Sequence, residues 1–174
     1  MTDDSWRPAT VAELKSLAHP VRWRILRLCL EDARTNKELA DHLDLAPATV
    51  LRHVRSLLEH GFLVAEEPRT GKRGALERPY RATRLTTRLS LESPEHPELA
   101  RGIETATLDA HRAELVEAPV GASVITNRSQ IRLTAKDRDE FLTRMHELWA
   151  EFHDRQDPDG ERLSIMWSHI SMSD

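Results

Sequence analysis

The segment APATVLRHVRSLLEHG, residues 46–61, constrains this chain more than any other stretch of it. Pro47 stands where the first residue of a helix can do without an N–H, and Gly61 stands where a left-handed residue ends one. Between them Val50, Val54, Leu57 and Leu58 recur at spacings of three and four, which puts them on one helical face. The other face then carries Ala48, Leu51, Arg52 and Arg55, with Thr49 at its rim. Two arginines and a leucine grouped on a face that would otherwise meet only water imply a binding partner.

The residues around this helix say what kind. Thr10 and Glu13 have capping-box spacing and start a short first helix carrying Val11, Leu14 and Leu17. His19-Pro20 stops it, and Pro20 opens a second helix with Val21, Ile25, Leu28 and Cys29 on one face. TNKE, residues 35–38, is another capping box and predicts a short third helix through Leu39, Ala40 and Leu43, followed by a tight turn at Asp44-Leu45-Ala46. After Gly61, FLVAEE reads as a strand, PRTGKRGA (68–75) as a glycine-containing turn, and LERPYRATRL (76–85) as the returning strand.

Three helices, a bounded fourth and a hairpin with a basic tip make the order of a winged helix-turn-helix. In that design the second helix of the turn motif enters the major groove of DNA, and the hairpin lies along the backbone or minor groove. The candidate DNA contacts are therefore Pro47, Ala48, Thr49, Leu51, Arg52 and Arg55 on the helix, with Arg69, Lys72 and Arg73 on the wing. Small Ala48 allows close approach to the bases, Thr49 hydrogen-bonds a base or phosphate, Leu51 touches a thymine methyl, and Arg52 or Arg55 forks onto guanine or phosphate. The three wing cations hold phosphates. His53 is expected to pack against a neighbouring helix or bond to backbone, not to read bases.

Charge divides the chain in the same sense. Residues 1–90 hold 16 Lys and Arg against 12 Asp and Glu, a net of +4, and residues 91–174 hold 9 against 17, a net of -8. A basic first half suits a polyanion, whereas the acidic second half needs another task. The run SPEHPELARGIETATLDAHRAELVEAP predicts a long helix starting at Pro94 or Pro97 and stopping at Pro119. GASVITNRSQIRLT reads as strand, TAKDRDEFLTRMHELWAEFHDRQ as a capped amphipathic helix with Phe141, Met145, Leu148, Trp149 and Phe152, and ERLSIMWSHI as a strand alternating Leu163, Ile165 and Trp167. The expected fold class is α+β: a winged helix-turn-helix over residues 1–90, then over 91–174 a connector helix and a small C-terminal α/β dimerisation segment. The aromatics there fit a structural core, and a small-molecule effector pocket is the alternative.

No run of 18 apolar residues exists, and MTDDSWRPAT lacks the basic and apolar regions of a signal peptide, so the cytoplasm is the expected compartment and no membrane partner is expected. The single cysteine, Cys29, excludes an internal disulfide and a cysteine-pair metal clip and reads as a small buried hydrophobe. No glycine-rich phosphate loop, Gly-x-Ser-x-Gly elbow or His-Glu-x-x-His motif occurs, so neither a catalytic site nor a cofactor is expected.

From Leu17 to Thr83 the chain resembles the arsenical-resistance-repressor (ArsR) type of winged-helix bacterial regulator, through SLAHPVRWRIL, KELADHLDLAPATVLRHVRSLLEHGFL and ERPYRAT. The resemblance implies a homodimer on a partly palindromic double-stranded DNA operator, usually a repressor, with the recognition helix falling on Pro47 to His60. Leu51 departs from the small polar residue often found there. Of the family's metal sites, the one in the third helix needs thiolates that KELADHL lacks. The one between paired long helices begins Asp-x-His, as in Asp109-Ala110-His111, but APVGASV supplies no second histidine. His146, His153 and His169 do not have a recognised ligand spacing. No metal is therefore expected. Two rival readings remain: a winged-helix adapter in which Leu51 and the arginines dock an acidic protein without sequence-specific DNA binding, and a metal-dependent enzyme using those three histidines.

Overall fold

Both capping boxes form. In the computed structural model, which describes residues 7–71, 74–157 and 159–171, a two-residue strand β1 (Arg7–Pro8) leads into helix α1 (Val11–Leu17). Thr10 Oγ1 accepts from the Glu13 N–H at 3.3 Å and the Glu13 carboxylate accepts from the Thr10 N–H at 2.7 Å. Arg7 clamps the same carboxylate at 2.7 and 3.0 Å, and that ion pair holds Glu13 down to about 2. Helix α2 (Pro20–Leu28) starts on Pro20, where His19 Nδ1 accepts from the Val21 N–H at 3.2 Å. Strand β2 (Arg34–Thr35) precedes α3 (Asn36–Leu43), whose Thr35–Glu38 box closes at 3.2 and 2.7 Å.

Asp44, left-handed at φ 52°, turns the chain toward α4 (Pro47–Glu59). That helix ends in a Schellman motif: Phe62 N–H donates to the Leu57 carbonyl at 2.9 Å and Gly61 N–H to that of Leu58 at 3.1 Å. The motif needs Gly61 at φ 73°, where a side chain would be strained. Strand β3 (Leu63–Ala65) then begins the wing, which continues through β4 (Arg69–Thr70), β5 (Leu76–Glu77) and β6 (Pro79–Ala82). β3 and β6 are antiparallel with Leu63 opposite Ala82 and Ala65 opposite Tyr80, β2 adds to the other edge of β6, and β4 pairs β5 further out. A 3-10 turn (Leu85–Arg88) leads to β7 (Leu89–Ser90), parallel to β1.

The core is where the sequence periodicity puts it. Leu14, Leu17, Ile25, Leu39, Val50, Val54, Leu57 and Phe62 are excluded from water and pack as one cluster. Cys29 joins them, and burial pushes its thiol up to about 11. The α+β class and the winged helix-turn-helix order are as the sequence predicts.

The second half differs from expectation in two ways. Helix α5 (Pro97–Glu117) buries Ile103, Ala106 and Ala110 and packs against α1 and α2, with Arg24 gripping Glu117 at 2.5 Å and Arg27 within 4.0 Å of Glu114. Charge changes sign near residue 91, but burial continues past it, so the first compact unit runs to Ala118 and the second begins at Pro119. Within that second unit α6 (Ala135–Asp154) forms on a Thr134 cap as expected. The strands expected over 121–134 and 161–170 do not form. A strand exists only through a ladder partner, which alternation of side chains does not by itself supply. Their alternating side chains, among them Ile125, Ile131, Leu163 and Ile165, are exposed, as are Phe141, Leu148, Trp149 and Phe152 along α6. Trp167 stacks on His169 at 5.4 Å and meets the edge of His146 at 5.6 Å.

Candidate nucleic-acid interface

α4 divides as its sequence demands. Val50, Val54 and Leu57 are fully buried, while Pro47, Ala48, Arg52 and Arg55 are exposed on the opposite side. Thr49 and Leu51 are half-buried, so Leu51 offers part of its surface and does not stand clear of the helix. Neither Arg52 nor Arg55 has an ion pair among the described residues, which leaves two unneutralised guanidinium groups one turn apart. The start of α4 is fixed from α3: Asn36 Nδ2 donates to the Pro47 carbonyl at 3.0 Å.

Behind the arginines lies a polar seam. His53 is buried, with its ring centroid 4.4 Å from that of His19, and its Nδ1 has no hydrogen-bond partner among the described residues. Arg22 spans the corner between the first two helices by donating to the Lys15 and Ser16 carbonyls at 3.3 and 2.7 Å, and the hydroxyls of buried Ser16 and half-buried Ser56 are 3.3 Å apart. His53 is thus a packing residue. Burial, and then the charges of His19, Arg22 and Arg52, lower it to about 4, and burial lowers His19 in the same direction.

The linkage has a definite sign. Between its ordinary value of 6.5 and about 4, His53 takes up a proton in the unfolded chain but not in the folded one, so stability is full above that window and falls as pH drops through it. Urea midpoints should decline steadily across this range, and His53→Leu, which fills the site without a titrating group, should flatten the decline. An equally steep decline in the variant would contradict the assignment. Glu13 contributes separately and at lower pH, because its stabilisation is present above 4.5 and lost only toward about 2.

On the wing the picture is less simple. Arg69 lies on β4, but its Nη2 is 2.9 and 3.1 Å from the two carboxylate oxygens of Glu38 on α3. Around it Arg81 pairs with Glu66 and donates to the Glu31 carbonyl at 2.5 Å, and Arg34 approaches Asp32 at 3.8 Å. Asp32, Arg34, Glu38, Glu66, Arg69 and Arg81 line a polar cleft at the base of the wing. Lys72 and Arg73, the other two expected phosphate contacts, lie outside the described residues. Sequence reasoning missed Asn36 and Glu38 as determinants of the site. TNKE signals a cap, and nothing in its spacing says that its amide and carboxylate also reach α4 and the wing.

Among the described residues no group of three or more His, Cys, Asp or Glu side chains could hold a metal ion, and no helix is long and apolar enough to cross a membrane. Residues 17–65 match the family model described as a helix-turn-helix domain. No curated protein matches the chain. Similar solved structures include reduced HlyU from Vibrio cholerae, at 21% identity over 52% of this chain and 80% of that one with a TM-score of 0.35. Rv0081 from M. tuberculosis is 25% identical over 61% and 90% of the two chains, also at 0.35. The transcriptional regulator Tm0710 from Thermotoga maritima is 16% identical over 79% and 78%, again at 0.35.

Proposed function

We propose that the chain is a sequence-specific, double-stranded DNA-binding transcriptional regulator of the ArsR type, acting as a homodimeric repressor. The observation that carries this reading is the outer face of α4: Ala48, Arg52 and Arg55 exposed, the two arginines with no ion pair among the described residues, on a helix whose opposite face is fully buried and whose start is pinned by Asn36. A helix held that firmly on one side can present two guanidinium groups to base edges at fixed spacing. The helix-turn-helix match over residues 17–65 supports it, because it spans α2, α3 and α4.

In this reading Pro47, Ala48, Thr49, Leu51, Arg52 and Arg55 meet the major groove, and Arg69, Lys72 and Arg73 meet phosphates. Residues 119–174 pair with a second copy, which the exposed stripe of Phe141, Leu148, Trp149 and Phe152 supports, since an amphipathic helix draws most of its stability from packing. The same segment is where a small-molecule effector would act. Incubation of the purified protein with sheared DNA of its own genome, followed by sequencing of the retained fragments, tests the proposal. A shared inverted repeat with half-sites about one helical turn apart is expected of a dimer. Retention of fragments with no common sequence would contradict it.

A further inference from the structure

Arg69 does not stand open to a phosphate. Its guanidinium rests on the Glu38 carboxylate, and Glu38 cannot readily swing away: its Oε2 also accepts from the Thr35 N–H at 2.7 Å, and its own N–H donates to Thr35 Oγ1 at 3.2 Å. The carboxylate is thereby aimed from the start of α3 at the outer strand pair of the wing, where β4 is joined to β5 by a short ladder with Arg69 opposite Glu77, extended by the Gly71 N–H donating to the Ala75 carbonyl at 2.8 Å. The neighbouring cations are already engaged, Arg81 by Glu66 and Arg34 by Asp32. Burial alone would raise the Glu38 pKa, but the Thr35 hydrogen bonds and the Arg69 and Arg34 charges lower it overall, so the group is anionic wherever DNA binding would be measured.

We propose that Glu38 is an internal stand-in for DNA phosphate: it latches the wing to α3 through Arg69, and duplex binding exchanges this carboxylate for a backbone phosphate. The inference rests on the DNA-binding reading and adds to it a residue that sets affinity and salt response without touching DNA. Both partners are about half exposed, and ion pairs of this kind are weak, so the latch can be exchanged yet reduces affinity by about two- to fivefold. It also changes the salt dependence. A free arginine that meets phosphate releases a condensed counterion and steepens the slope by about 0.9, whereas one that leaves a carboxylate exposes a new charge that recruits a cation and cancels much of that release.

The test compares wild type, Glu38→Gln, Arg69→Gln and the double variant by fluorescence anisotropy on a labelled mixed-sequence duplex about two helical turns long, across a salt series. Glutamine at this position still completes a capping box, and a circular-dichroism melt checks that Glu38→Gln folds as wild type does. The latch predicts that Glu38→Gln tightens binding by about two- to fivefold at low salt, steepens the slope by up to about 0.9, and does neither in the Arg69→Gln background. An unchanged affinity and slope would overturn it, and so would an equal gain with Arg69 absent, which would mark plain removal of a negative charge. A wild-type protein that binds no duplex at any salt would bring down the DNA-binding reading and the latch with it, whereas a wild type that binds beside an inert Glu38→Gln defeats the latch alone.

Discussion

Replacing Arg52 and Arg55 together by glutamate should abolish specific duplex binding and leave the unfolding transition where it is. Each bidentate arginine contact to a base contributes about 1–3 kcal/mol of discrimination, so the two together account for about 2–6 kcal/mol, on the order of thirtyfold to more than ten-thousandfold in affinity. Reversing the sign adds repulsion from the phosphates. Both side chains are exposed and neither has an ion pair among the described residues, so substitution there should shift stability by no more than about 0.5 kcal/mol. Anisotropy and a thermal melt on the same preparation decide the matter. Retained affinity in a folded variant would remove α4 from its role as the reading element.

Phe62→Ala should have the largest effect on stability, a loss of about 3–5 kcal/mol. Phe62 is almost wholly excluded from water and is among the largest of the fully buried side chains. It is also the hinge point of the design: its N–H closes the Schellman motif on Leu57, and its carbonyl accepts from the Thr83 N–H at 3.1 Å, so the ring, the end of α4 and the root of the wing meet in one residue. Truncation leaves a cavity at this junction. Against a typical domain stability of about 5–15 kcal/mol, such a loss should bring the urea midpoint down sharply with little change in slope. A loss below about 1 kcal/mol would show that the junction is not part of the cooperative core.

Most of the first half was legible in the sequence because its signals are local and redundant. Two capping boxes, Pro20, Pro47 and Gly61 each fix a boundary within one turn of chain, and the Val50, Val54, Leu57 series orients α4 without reference to anything distant. The two-residue strands β1, β2, β4 and β7 were not legible, since two residues show no period; they exist because a partner strand lies alongside. The Arg69–Glu38 pair was hidden for a similar reason: 31 residues separate its partners, and a charge does not show in sequence which opposite charge it will meet. In the second half, alternation in residues 161–170 resembled a strand, but alternation records only which side chains would share a face, not whether a ladder partner is at hand.

The most direct test of the central claim is fluorescence anisotropy of the wild-type protein on the DNA upstream of its own gene and on a scrambled duplex of the same length and composition, titrated with salt. A sequence-specific regulator should bind the upstream DNA about a thousandfold or more tighter than the scrambled duplex, with log affinity falling against log salt by about 0.9 for each phosphate neutralised. Equal and weak binding to both duplexes, repeated on every fragment of a genomic pool, would contradict it.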